Sequence, residues 1–155
     1  MSYANDMSPT VEKAARSNAG LASQLRLSVM RLRRRLATER HPDNELGLNA
    51  MAVLGSLHRH GELPVGELAA LEGVQPPSMT RTVTCLEEAG HVVRRPHETD
   101  GRQVVVVLTD VGRQTLLADR RRRDAWLARR LSELTPHERA VLREAAPILE
   151  RLSAS

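Results

Sequence analysis

A chain of 155 residues has room for one well-packed domain and too little for two of ordinary size. Aromatic residues make up 1% of it and Phe is absent, so its core must be Leu, Val and Ala, which suits helices better than a β-sandwich. The net charge of +4 favours a polyanionic partner, and with Lys13 the single lysine among 23 cationic residues, forked guanidinium donors are available wherever a phosphate or a guanine must be held.

Residues 1–18 are small and polar and lack the apolar stretch of a secretory signal, so they read as a mobile tail. Ala22, Leu25, Val29, Leu32 and Leu36 then alternate in steps of three and four, predicting a helix whose outer face carries Arg26, Arg31, Arg34 and Arg35. His41-Pro42-Asp43-Asn44 ends that pattern. Leu48, Met51, Leu54 and Leu57 mark a second helix, ending near Gly61. Two short helices follow, Pro64 to Leu71 and Gln75 to Ala89, separated by Gly73.

From His91 to Leu108 the pattern changes to two strands around a turn. Thr109 is the expected N-cap of a long helix through about Arg130. Thr135-Pro136-His137-Glu138 then forms a capping box with Pro in the first turn. The last helix has its apolar stripe at Val141, Leu142, Ala145, Ile148, Leu149 and Leu152, with Pro147 expected to kink it. The fold class expected is mainly α with a small β-hairpin (α+β). The stripes of the first helix and of the last two have no obvious partner in so small a fold. They predict a second subunit, against the alternative of an intrachain bundle.

Pro64 to Val83 reads as two helices and a tight turn. Ala69 permits close helix crossing, Gly73 supplies a positive φ, and Val74 plugs the corner. Met79, Val83 and Leu86 face the core. At 100° per residue the opposite face centres on Pro77, Arg81, Thr84 and Glu88, flanked by Ser78, Thr80 and Cys85. Small hydroxyls around one Arg suit the major groove. Short side chains let the helix sit deep, hydroxyls bond phosphates or base edges, and Arg forks onto guanine O6 and N7. The competing reading is an ordinary solvated face.

The hairpin favours the first reading. Val92-Val93 and Val104 to Leu108 can pair across a loop holding Asp100-Gly101. Arg94 and Arg95 line the first strand, and Arg102 leaves the tip, where a thin loop can carry it into a narrow minor groove. Asp100 is expected to bond turn amides or Arg102 and so fix the tip.

The runs Gly73-Val-Gln-Pro-Pro-Ser-Met-Thr-Arg81, Leu86-Glu-Glu-Ala-Gly90, Val92-Val-Arg-Arg95, Asp100-Gly-Arg102 and Leu108-Thr-Asp-Val-Gly112 together resemble the winged-helix core of the MarR family of bacterial regulators. Leu134-Thr-Pro-His-Glu138 resembles the start of that family's last helix. The resemblance spans about Leu21 to Leu152. It implies one MarR-like domain over 19–155, with dimerisation helices in 19–45 and 109–155 and a winged helix-turn-helix lobe over 46–108. It further implies a cytoplasmic homodimer that represses transcription from a pseudo-palindromic double-stranded DNA operator. A small anionic or phenolic effector between the dimer helices and the lobe would release it, though the sequence singles out no pocket residues. The expected DNA contacts are Gln75, Pro77, Ser78, Thr80, Arg81, Thr84, Arg94, Arg95, Asp100 and Arg102, with Asp100 and Arg102 as the family's wing-tip pair. Two departures stand out: Pro64 occupies a position where the family often has a Ser or Thr cap, and Pro147 interrupts the last helix.

Other candidates carry less. The single cysteine, Cys85, rules out an intramolecular disulfide and a Cys-rich zinc site and fits a reducing compartment. It reads as a small packing residue, the alternative being a redox switch in which a bulky adduct blocks DNA. His58 and His60 point to different faces of a helix, and even with His41 no third metal ligand is evident. Arg120 to Arg123 encircle their helix as a solvated run rather than a phosphate clamp. No apolar run approaches the roughly 18 residues that span a bilayer. Phosphate-loop, Ser-His-Asp and paired-carboxylate signals are missing, so neither an enzyme nor a cofactor is expected. A winged-helix protein–protein interaction module is the remaining alternative. The Thr80-Arg81 face and basic hairpin oppose it, because such a face should carry apolar anchors.

Overall fold

A computed structural model of the chain describes residues 17–154, so all but the end of the tail expected over 1–18 lies outside the described residues. The chain divides into two compact units, Met1–Thr38 and Glu39–Ser155. The described part of the first is one helix, α1 (Asn18–Ala37), whose N-cap Ser17 accepts the Gly20 N–H and whose last turn carries Arg34 and Arg35. None of its residues is buried.

The second unit runs α2 (Leu48–His60), β1 (Leu63–Pro64), α3 (Val65–Glu72), α4 (Pro76–Glu88), β2 (Val92–Pro96), β3 (Val104–Leu108), α5 (Asp110–Ser132) and α6 (Pro136–Ser153). The sheet has three antiparallel strands in the order β1-β3-β2. The hairpin matches the expectation and the third strand does not. Leu63 pairs with Val106 and Pro64 with Val105. Two residues are too few to show an alternating pattern, which is why β1 left no signal in the sequence. With β1 on one side and β2 on the other, the middle strand buries Val105 and Val106 completely.

The core joins α2, α3 and α4 to this sheet. Leu54, Leu68, Val83, Leu86, Val92 and Val106 are fully buried, with Met51, Leu57, Met79 and Leu116 close behind. Burying each Leu or Val contributes about 1.5–3 kcal/mol, so this cluster carries much of the stability of a fold without Phe. The buried Ser56 hydroxyl donates to Glu72 and ties α2 to α3.

Between α4 and α5 the chain is tied back on itself. Thr109 caps α5 by accepting the Gly112 N–H at 3.1 Å, and its hydroxyl donates to the Gly90 carbonyl at 2.7 Å. The Thr109 N–H donates to the His91 carbonyl at 3.1 Å. A Cβ on Gly112 would fall 2.2 Å from that carbonyl oxygen. The first turn of α5 is therefore seated directly on the residue that follows the α4 turn.

A second tie is made by Asp119, which has no exposed surface. Its carboxylate accepts from the His41 N–H at 2.9 Å and from Asn44 Nδ2 at 2.6 Å. Arg40 and Arg123 lie 3.9 and 3.8 Å from it. The run Arg120 to Arg123 is thus not uniformly solvated: Arg123 turns inward to a buried carboxylate. The capping box on α6 forms as expected, with Thr135 accepting the Glu138 N–H and Glu138 accepting the Thr135 N–H at 2.8 Å. α6 runs on as continuous helix through Pro147 to Ser153 and buries no residue.

Candidate nucleic-acid interface

The turn between α3 and α4 is built as the sequence suggested. Gly73 caps α3 at φ 62°, ψ 34°, a left-handed conformation that side-chain-bearing residues adopt only with strain, and its N–H returns to the Ala69 and Ala70 carbonyls. Val74 is half-buried against the core, and its N–H also reaches Ala69 at 3.0 Å. Gln75 is the N-cap of α4 with no side-chain capping bond, and Pro76 and Pro77 fill the first turn. Pro64 likewise caps α3 without a side-chain bond, leaving orphan N–H groups that a Ser or Thr would have satisfied.

α4 buries Met79, Val83 and Leu86, so the opposite face is fixed. Gln75, Pro77, Ser78, Thr80 and Arg81 are exposed along it, and Thr84 is half-buried. The threonines do more than fringe this face. Thr80, Thr82 and Thr84 donate to the carbonyls four residues back, Pro76, Ser78 and Thr80, at 3.0, 3.1 and 2.9 Å. Each hydroxyl proton is thereby turned back into the helix; Thr84 Oγ1 also accepts from Arg94 at 3.0 Å, which leaves Thr80 as the exposed threonine beside Arg81. Among the described residues no hydrogen bond or ion pair engages the Arg81 guanidinium. Cys85 is exposed, which corrects the reading of it as a packing residue: the 100° step from the buried Leu86 turns it outward.

The hairpin stands beside this face. Asp100 Oδ1 accepts the Arg102 N–H at 3.2 Å, fixing the tip as expected, and the Arg102 side chain extends from it, exposed and unpartnered among the described residues. His97 is a further organiser that sequence reasoning missed. Its Nδ1 accepts the Thr99 and Asp100 N–H groups at 3.2 and 3.3 Å, while its own backbone N–H reaches the Gln103 carbonyl at 2.8 Å. A histidine after a proline carries no turn signal of its own, so only the folded geometry identifies it.

Arg94 and Arg95 sit differently from Arg81 and Arg102. Arg94 pairs with Glu87 at 2.5 Å and donates to the Thr84 hydroxyl at 3.0 Å. Arg95 pairs with Glu62 and, at 3.3 Å, with Glu98. The Arg94 N–H and then its guanidinium hold the Glu87 carboxyl below its ordinary range, and the bond that Arg95 donates to Glu62 holds the Arg95 proton more firmly than usual. Glu62 and Glu87 gave no warning in the sequence, since their partners lie 33 and 7 residues away.

A cleft of about 440 Å³ lies behind the interface. Asn44 and Leu46 wall one side, Ala89 and His91 the end of the α4 turn, and Gln114 and Thr115 the start of α5. His91 Nδ1 is buried there without a hydrogen-bond partner among the described residues. No group of three metal-binding side chains occurs among the described residues, nor any helix long and apolar enough to cross a membrane.

A helix-turn-helix whose second helix is flanked by an arginine-tipped hairpin defines a winged-helix DNA-binding protein. The pattern of the MarR family matches residues 46–104. An HTH-type transcriptional regulator of Mycobacterium bovis is 44% identical over 133 residues, covering 86% of this chain and 92% of that one. The transcriptional repressor MdtR of Bacillus subtilis is 37% identical over 105 residues, 65% of this chain and 63% of its own. A transcriptional regulator from Pseudomonas aeruginosa superposes with a TM-score of 0.77 at 33% identity, over 86% of this chain and 93% of that one. The chain belongs to the MarR family. It is a DNA-binding transcriptional regulator and not an enzyme.

Proposed function

We propose that the protein is a homodimeric repressor in which α4 reads the major groove of a pseudo-palindromic operator and Arg102 enters the adjoining minor groove. The observation that carries this reading is the pair of exposed guanidiniums, Arg81 and Arg102, that have no partner among the described residues while Arg94 and Arg95 have carboxylates. Arg81 forks onto a guanine. Gln75, Pro77, Ser78, Thr80 and Thr84 brace the backbone and base edges around it. Arg94 and Arg95, whose charges are offset by carboxylates, border this face beside the phosphates, and Asp100 holds Arg102 in place.

The homodimer is supported by α6, which buries none of its residues while Val141, Leu142, Ile148, Leu149 and Leu152 are 39–63% exposed. Leu21, Leu25, Val29 and Leu32 on α1 are similarly open. Stripes of this kind are expected to be covered by a second copy. Symmetry then sets the two reading helices roughly 34 Å apart, one turn of DNA. Repression, rather than activation, is supported by the likeness to the Bacillus repressor.

A small-molecule effector would act through the cleft behind α4, because it borders the end of the reading helix and the start of α5 together. An effector that binds better when those elements are spread shifts the dimer away from DNA. The lining offers amide, hydroxyl and imidazole groups together with the carboxylates of Asp43 and Glu45, and no Arg or Lys, which suits a phenol or another hydrogen-bonding ring without negative charge better than a carboxylate.

A gel shift with DNA from upstream of the protein's own coding sequence tests the reading. Retention of a discrete complex, weakened by Arg81→Ala and Arg102→Ala, is the expected result. Arg102→Ala reduces affinity over many sequences and lowers the salt slope by about one unit, whereas Arg81→Ala also relaxes base preference. Unchanged binding by both variants would refute the groove assignment.

A further inference from the structure

The wing is joined to the reading helix by a single side-chain assembly. Glu87, in the last turn of α4, accepts the Arg94 N–H at 2.9 Å with one carboxylate oxygen and the Arg94 guanidinium at 2.5 Å with the other. The other end of that guanidinium donates to Thr84 Oγ1 at 3.0 Å and approaches the Thr80 carbonyl at 3.5 Å. Residues 80, 84 and 87 lie on one stripe of the helix, so Arg94 is laid along nearly two turns of it. β2 is an edge strand of the sheet, and an edge strand has N–H groups with no strand to receive them. Glu87 takes one of these, and so determines where the wing begins to rise from α4.

On electrostatic grounds this carboxylate is badly placed. It sits at the edge of a face whose partner is a polyanion, and it offsets the charge of an arginine that could otherwise meet a phosphate. Its neutralised partner, its two bonds to one residue and its contact stripe on α4 give it a geometric use instead. We propose that Glu87 is a positioning residue for sequence-specific binding: with Arg94 it forms a strut that sets the wing at a fixed angle to α4, raising discrimination between sequences while lowering attraction to DNA in general. Arg81 and Arg102 can fit their two grooves together only if that angle is held. A loose wing would still meet phosphates, because charge alone needs no register.

This inference rests on the DNA-reading assignment above, and the experiment separates the two. The probes are a duplex selected by the wild-type protein from a randomised pool and a scrambled duplex of the same composition, measured by fluorescence anisotropy across a salt series. If the wild-type protein fails to discriminate between them, the DNA-reading assignment itself fails. Given discrimination, Glu87→Ala is expected to bind the selected duplex at least about tenfold more weakly and the scrambled duplex more tightly. Its salt slope on the scrambled duplex should steepen by about 0.9, because Arg94 is released toward a phosphate.

Glu87→Gln keeps an oxygen for the Arg94 N–H and loses the charge. It is expected to gain scrambled-duplex affinity while retaining more of the discrimination than Glu87→Ala, and it decides the matter if the alanine variant does not fold. A purely structural role would weaken both duplexes in parallel, and a purely electrostatic one would strengthen both in parallel. Either parallel result, from a variant with wild-type circular dichroism, would overturn the strut.

Discussion

Gly112 is where the reading lobe meets the long helix, and Gly112→Ala probes that junction directly. An ideal Cβ there lies 2.2 Å from the His91 carbonyl oxygen and 2.8 Å from Leu108 Cδ1. The leucine methyl can rotate away; the carbonyl cannot, because it accepts the Thr109 N–H at 3.1 Å. Restoring ordinary contact needs a shift of roughly 1 Å, which strains that bond and the 2.7 Å bond from Thr109 Oγ1 to Gly90. Overpacking of this kind costs about 1–3 kcal/mol, and one weakened hydrogen bond adds about 1 kcal/mol. Alanine's better helix propensity returns up to about 1 kcal/mol, so the net destabilisation expected is about 1–3 kcal/mol. With a urea m-value of about 2 kcal/mol/M, the midpoint falls by roughly 0.5–1.5 M.

Urea unfolding followed by circular dichroism at fixed protein concentration measures this shift, concentration mattering because association stabilises the folded state. Gly66→Ala is the control. That glycine is also helical and has nothing within 4 Å of its Cβ position, so its midpoint should hold or rise. Equal midpoints for the two variants would refute the account of the junction.

Asp119→Ala leaves the His41 N–H and Asn44 without their buried acceptor and Arg40 and Arg123 without their buried countercharge, and a loss of about 3–5 kcal/mol in the same urea assay is expected. A loss below about 1 kcal/mol would mean that water replaces the carboxylate freely. The pH dependence of stability follows from Glu138, whose carboxyl is held below its ordinary range by the Thr135 N–H and then the Thr135 hydroxyl. A depressed folded-state value means that the unfolded chain binds the proton more readily. The contribution is therefore complete above the unfolded value of about 4.3 and disappears as pH falls through the folded one. Glu138→Gln should flatten the stability profile on the acid side of that unfolded value, and an unchanged profile would show that the capping box does not contribute.

The elements whose signals are local were legible in the sequence. Gly73 marked the turn because few other residues accept its φ, the hydrophobic spacing of Met79, Val83 and Leu86 oriented α4, and Thr135-x-x-Glu138 announced its own cap. Asp100 and Arg102 were likewise readable from neighbouring turn residues. Features joining distant residues were not. β1 is two residues long and exists only because β3 has a free edge beside it. Asp119 carries no local signal, because the residues it holds, 40, 41 and 44, lie more than 70 positions away. Within the candidate interface, the sequence placed Arg81 on the reading helix, Arg94 and Arg95 on the first strand and Arg102 at the tip, and expected all four to meet DNA. The structure divides them by which ones meet carboxylates, and a partner 33 positions away, as Glu62 is from Arg95, has no periodicity to betray it.

The central claim, that α4 occupies the major groove and the wing tip the minor groove, is tested most directly by dimethyl sulfate interference on the selected duplex. Methylation marks guanine N7 in the major groove and adenine N3 in the minor groove. Interference is expected at guanine N7 in two half-sites about 10 base pairs apart and at adenine N3 in the minor groove adjoining each. The guanine signal should disappear in Arg81→Ala and the adenine signal in Arg102→Ala. Guanine interference that persists undiminished in Arg81→Ala would contradict the assignment of α4 as the reading helix.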